Sequence, residues 1–158
     1  MEAELRGAHE VASLLNADVP EDWPPGEYDR GAIEFMLSRL NADWPAMDGW
    51  SSWYALLAGQ REERASVVGA AGYFGPPDEN KTVEIGYSVA TKWRKCGFAT
   101  EMVRALLWRA ADTRQVRTVQ AHSHAQNAAS IAVLRKSGFE ETTSDEPGQL
   151  RFEYTIST

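Results

Sequence analysis

Apolar residues along this chain of 158 recur at two spacings, three to four apart in some stretches and alternating in others. The first spacing predicts helices over residues 7–16 and 29–41, where Ile33, Phe35, Met36, Leu37 and Leu40 supply an apolar face. It returns from 98 to about 111, with Phe98, Met102, Ala105, Leu106 and Ala110 at helical intervals, and again over 127–137. Gly138 then stands where a helix ends in a left-handed residue. Runs rich in β-branched and aromatic residues predict strands over 51–58, 66–74, 82–90 and 116–124. The first two, joined by the polar turn GQREERA, read as a hairpin; FEETTS and QLRFEYTI, around DEPG, read as another. Two Pro-containing segments, DVPEDWPPGEYD and NADWPAMDGW, interrupt both patterns and are expected to be loops. The order α-α-β-β-β-α-β-α-β-β predicts a single α/β domain over 1–158, with one mixed sheet and helices on both faces.

Composition narrows the class. Hydrophobic residues make up 43% of the chain and charged ones 25%, as in an ordinary globular protein. No apolar run approaches the roughly 20 residues a membrane span needs, so no membrane partner is expected. The opening MEAELRGAHE lacks the basic and apolar regions of a secretory signal. The single cysteine, Cys96, excludes an internal disulfide, and the expected location is the cytoplasm. A net charge of −7 argues against nucleic acid as a partner.

The distribution of that charge says more. Residues 1–60 hold three arginines and no lysine against eleven acidic residues, a net of −8. Residues 91–117 hold seven basic residues against two acidic ones, a net of +5. The positive zone opens on WRKCGFATEMV, at the start of a predicted helix. An ordinary helix begins with a capping Ser, Asp or Asn and acidic residues in its first turn. Here Arg94 and Lys95 approach the turn, while Gly97 and Ala99 keep side chains out of the way. Free N–H groups at such a helix start form a nest for an anion such as phosphate. There is no G-x-G-x-x-G and no G-K-[ST], so neither a dinucleotide fingerprint nor a P-loop is present.

The spacing V-x-x-x-x-R-x-x-G-x-A, formed by Val89, Arg94, Gly97 and Ala99, resembles the pyrophosphate loop of the GNAT superfamily of N-acetyltransferases. In NAASIAVLRKSGF, residues Asn127, Ser130, Leu134, Gly138 and Phe139 resemble that superfamily's second cofactor motif. EIGYSVATKWRKCGFATE and the N-x-x-S pattern resemble the branch that contains ribosomal-protein alanine acetyltransferases and related enzymes. The resemblance implies a single mixed, mostly antiparallel sheet with a V-shaped splay between two central parallel strands, here 82–90 and 116–124. It implies acetyl-CoA as cofactor, with coenzyme A as product. Ser88 and Val89 would meet the pantetheine arm, and Arg94, Lys95, Cys96, Gly97, Phe98, Ala99 and Thr100 the pyrophosphate; Asn127 and Ser130 would also contact the cofactor. The superfamily often places a tyrosine seven residues after the motif asparagine, where this chain has Leu134. In the resembled branch the serine matching Ser130 is a proposed replacement as proton donor. The family's first strand is expected to be short or missing, because residues 1–6 barely offer one.

Two functions compete on this reading. One is transfer of an acetyl group to a primary amine, a small molecule or a peptide N-terminus, by direct attack on the thioester. The other is a non-catalytic acyl-CoA sensor or partner domain. For transfer, Glu84 is the candidate base, since it shares a strand face with Gly86 and Ser88. His122 and His124 share one face of their strand; without nearby ligands an H-x-H pattern reads as groove lining rather than a metal site, and no metal is expected. Trp23 joins them as a candidate acceptor contact. The acidic first 60 residues favour a cationic acceptor, and a monomer or homodimer is expected.

Overall fold

In the computed structural model, which describes residues 1–60 and 63–157, each long periodic stretch forms the element its spacing dictates. The chain runs α1 (Glu2–Arg6), α2 (Ala8–Leu15), β1 (Ala17–Asp18), α3 (Arg30–Ala42), α4 (Trp44–Met47), β2 (Ser52–Leu57), β3 (Ala65–Tyr73) and β4 (Thr82–Val89). It continues through α5 (Phe98–Thr113), β5 (Thr118–His124), α6 (Ala128–Lys136), β6 (Glu140–Thr142) and β7 (Gln149–Thr155). Of the turn GQREERA, residues 61 and 62 lie outside the described residues, and Ala65 already opens β3.

Three short elements depart from the sequence reading. Residues 2–6 are helical, so no strand precedes α2 among the described residues. The two-residue β1 follows α2 instead and pairs in parallel with Ala65 and Ser66 at the start of β3. Part of NADWPAMDGW is the helical turn α4: the Asp43 carboxylate accepts from the Ala46 N–H at 3.1 Å, and Pro45 sits in the first turn. A proline there loses no helical hydrogen bond, so the residue that argued for a loop opens a helix.

The sheet order is β1-β3-β4-β5-β7-β6, with β2 on the other edge of β3. Among the described residues only β1–β3 and β4–β5 are parallel. One face carries α5 and α6. There Tyr73, Val83, Ile85, Val119 and Phe152 meet Val103, Leu106 and Leu134, all nearly or fully buried. The buried Tyr73 hydroxyl donates to the Leu106 carbonyl. The other face is covered over β3 by α2 and the loop after β1, where Ala17, Trp23, Val67 and Ala70 form a second cluster. On that face, β5 and β7 present polar residues, Gln120, His122, Arg151 and Glu153, with Gln120 bonded to Glu153.

The end of α6 explains Leu134. Gly138 has φ +91°, its N–H bonds to Arg135, and the Phe139 N–H bonds back to Leu134. This closes the helix with a Schellman turn, whose apolar contact pairs the residues after and before the turn. Leu134, fully buried, is therefore a core residue facing Phe139 rather than a group at a cleft. Leu134→Ala is expected to destabilise the fold by about 2–5 kcal/mol, read as a lower urea midpoint at unchanged slope.

Candidate active site

Strands β4 and β5 run side by side only at their starts. Thr82, Val83 and Glu84 pair with Thr118, Val119 and Gln120, and beyond these the two strands have no paired residues. Both continue for several residues, β4 to Val89 and β5 to His124, so they form a fork whose vertex lies at Glu84 and Gln120. The opposite edge of β4 stays fully paired to β3, from Ile85 to Val89. Phe74 donates to the Glu84 carbonyl and Ala90 donates to Val68, so the even-numbered groups of β4 face β3. By alternation, the N–H and C=O groups of Tyr87 and Val89 point into the fork. Ser88, by contrast, turns its backbone to β3 and donates its hydroxyl to the Pro25 carbonyl at 2.6 Å.

The fork opens into a cleft of about 760 Å³ lined from both sheet faces. One wall is the turn into α5. Lys95 (φ +61°) and Gly97 (φ +90°) bend the backbone sharply, and Gly97 caps α5 with no side-chain hydrogen bond. The first carbonyl bond of this helix goes from Glu101 N–H to Gly97. The N–H groups of Gly97, Phe98, Ala99 and Thr100 are therefore the ones a helix leaves without internal partners. A Cβ on Gly97 would meet nothing within 4 Å, so the space over these donors is open. Arg94 braces the turn by donating its Nε to the Val89 carbonyl at 3.2 Å. A row of free donors beside Arg94 and Lys95 fits a phosphate-bearing group. Cys96 is exposed, with Sγ 3.4 Å from the Arg94 carbonyl, and does not line the cleft.

The same wall continues at α6. Asn127 accepts from the Ser130 N–H at 3.1 Å, which caps the helix and leaves the Asn127 amide donors free. The Ser130 hydroxyl lies 2.9 Å from the Tyr87 hydroxyl. Burial pushes the Tyr87 phenol above its ordinary pKa; the Ser130 bond offsets this in part, and the Glu27 charge adds to it. Tyr87 therefore stays protonated at neutral pH.

The opposite wall carries the acidic and imidazole groups. Glu84 Oε1 lies 2.7 Å from His122 Nδ1, and both side chains are part-exposed, 40% and 32%. His124 Nε2 is 3.6 Å from Glu27 Oε1, between two exposed side chains. Gly86 leaves no gap beside Glu84, because the Phe74 ring packs across it 3.0 Å from where a Cβ would stand.

Glu27 and Tyr28 come from the Pro-containing loop, and sequence reasoning did not place either at the cleft. The loop is irregular but tied down at several points. Asp22 accepts from the Thr91 N–H and Pro25 from Ser88, while buried Glu4 accepts from Trp23 Nε1 at 3.1 Å and Tyr28 hydroxyl at 3.0 Å. The hydrogen bonds from Thr91 hold the exposed Asp22 carboxyl below the usual range. Trp23 does not reach the cleft. The residue, 8% exposed, packs its ring against Tyr28 and Tyr54, and its N–H is one of three donors, with the Tyr28 hydroxyl and the Met1 ammonium, that satisfy the buried Glu4 carboxylate. Among the described residues no cluster of His, Cys, Asp or Glu could hold a metal ion, and no helix is long and apolar enough to cross a membrane.

Comparison with known proteins accords with this geometry. Residues 3–140 match the family model described as Acetyltransferase (GNAT) domain. The chain is 26% identical over 145 residues to the uncharacterized N-acetyltransferase YjdG of Bacillus subtilis strain 168, covering 80% of this chain and 84% of that one. It is 29% identical to a ribosomal-protein-alanine N-acetyltransferase from Brucella melitensis, with a TM-score of 0.57 over 81% of this chain and 79% of that one. A likeness of fold extends to yncA from Salmonella typhimurium, solved with its cofactor acetyl-CoA, at 20% identity and a TM-score of 0.58 over 78% of this chain and 73% of that one. A forked sheet beside a glycine-started helix, and a family match across most of its length, place this chain in the GNAT family of acetyltransferases.

Proposed function

We propose that the protein transfers the acetyl group of acetyl-CoA to a primary amine by direct attack, in the cytoplasm, as the ribosomal-protein-alanine acetyltransferase resemblance suggests. The observation that carries this reading is the fork: inward-facing backbone groups on β4 end at a helix start with free N–H donors. When bound, acetyl-CoA supplies an activated acyl group and a thiolate leaving group. The N–H groups from Gly97 to Thr100, with Arg94 and Lys95, would hold its phosphates. The groups of Tyr87 and Val89 would pair with its amide arm, and Asn127 would add a donor. A bond forms between the acceptor nitrogen and the carbonyl carbon while the carbon–sulfur bond breaks. The nitrogen must lose a proton, since an alkyl ammonium has a pKa of about 10.4. The Glu84–His122 pair at the vertex would receive it, and Ser130 would return a proton to the departing sulfur.

The test is release of free thiol from acetyl-CoA in the presence of a peptide N-terminus, a polyamine, an aminoglycoside and an amino acid. Release with at least one of them is expected. Tight coenzyme A binding with no release for any amine would favour the sensor reading.

Ser130 supplies a second, smaller prediction. If its hydroxyl protonates the sulfur, Ser130→Ala lowers turnover by about 10- to 100-fold, toward the lower range of acid–base effects. Tyr87→Phe, which removes the partner of that hydroxyl, lowers it by less. Coenzyme A affinity, measured by calorimetry, stays within about threefold for both. An unchanged rate in Ser130→Ala would assign the proton to water.

A further inference from the structure

We propose that His122 Nε2, rather than the Glu84 carboxylate, is the atom that takes the proton from the acceptor amine, and that Glu84 acts through it as a positioning residue. This rests on the acetyl-transfer reading of the same cleft. Glu84 and His122 are 38 residues apart in sequence, yet the parallel register opposes Glu84 to Gln120 and so brings His122, two residues further along, to the same face. The 2.7 Å contact is made through Nδ1. A carboxylate oxygen only accepts, so in the neutral ring Nδ1 is the donor and Nε2 carries the lone pair. Among the described residues Nε2 has no hydrogen-bond partner.

The surroundings suit this division of labour. The cross-strand neighbour of His122 is Arg151, whose guanidinium is occupied by Glu153 at 3.1 Å and by Thr142. His124 is turned to Glu27, and Gln120 to Glu153. Among the described residues Glu84 is thus the one anionic group in direct contact with the His122 ring. Imidazoles as a class titrate near neutral pH, where a general base works best, whereas carboxylates are mostly too weak as bases there. The step balances simply. Nε2 takes one proton from the acceptor nitrogen, the ring becomes imidazolium held by the Glu84 charge, and the part-exposed ring then passes the proton to solvent.

Two measurements test the assignment. The chain has three histidines, so the ring nitrogens of the ¹⁵N-labelled protein can be assigned by comparison with a His122→Ala sample. His122 is expected as the Nδ1–H tautomer, and an Nε2–H tautomer overturns the proposal. With a working acceptor, His122→Ala should lose about 10²- to 10³-fold in turnover, and added imidazole should restore at least tenfold of it. The same imidazole should give Glu84→Gln no gain. A His122→Ala protein within about threefold of the unaltered rate also overturns the proposal and returns the base to Glu84. Failure of the transfer reading looks different: the unaltered protein then leaves acetyl-CoA unconsumed with every amine, which removes this assignment as well.

Discussion

Gly97→Glu is expected to abolish coenzyme A binding, with Kd rising by about 100-fold or more in a titration of the folded protein. The residue combines a φ of +90° with open space where its side chain would project. A glutamate there would fill the space above the first-turn N–H groups of α5 and set a negative charge where phosphate has to sit. Two unit charges of the same sign at about 4 Å repel by roughly 4 kcal/mol at a protein surface, and each 1.4 kcal/mol is tenfold in affinity. Gly97→Ala separates this from backbone strain. It carries only the left-handed cost, about 1–2 kcal/mol, and should keep affinity within roughly 30-fold. Near-normal binding by a folded Gly97→Glu protein would sink the assignment of this turn to the cofactor.

Glu84→Gln should leave binding nearly untouched and cut turnover by roughly 10²-fold at pH 7. The amide matches the carboxylate in shape but carries no charge, so the imidazolium that forms at His122 loses the counter-ion 2.7 Å away. Raising the pH should recover part of the rate, because a larger share of the acceptor amine is then already neutral and needs no base. Coenzyme A affinity should move by less than about twofold, since Glu84 lies at the vertex and the phosphate donors at the α5 turn. A Glu84→Gln enzyme as fast as the unaltered one would reduce Glu84 to a structural carboxylate.

Much of the fold was legible because the periodic signals were long. Helices α3, α5 and α6 and strands β2 to β5 lie within about two residues of their predicted spans, and the predicted splay appears where β4 and β5 stop pairing. Of the short elements, β6 was legible as the arm of a hairpin, but β1 and α4 were not. Two residues of β1 or four of α4 carry no period, and α4 exists through the Asp43 cap and the tolerance of a first turn for proline. Individual site residues were visible while their partnerships were not. Glu84 and His122 were each conspicuous, but their contact depends on a parallel register that alternation cannot specify. The pairing of the Tyr87 hydroxyl with Ser130, 43 residues away, was hidden in the same way. Trp23 misled in the opposite sense, since a tryptophan in a Pro-containing loop looks available until its buried carboxylate partner, Glu4, is known.

The anchored loop has a consequence for how acceptor preference can change. Because Glu4 of α1, Ser88 of β4 and Thr91 just after β4 hold it, an acceptor amine bound in the proposed cleft would meet a wall that is already in place. Little ordering entropy is then charged against binding, against roughly 0.5–1.5 kcal/mol for each side chain that must otherwise be immobilised. On the proposed acetyl-transfer reading, the side chains this loop presents to the cleft, Glu27 and Tyr28, would then bear on which amine is preferred. Exchange of Glu27 alone, exposed and outside the Glu4 knot, alters the charge of that wall without loosening the scaffold, so on the proposed reading acceptor range could change while fold stability does not.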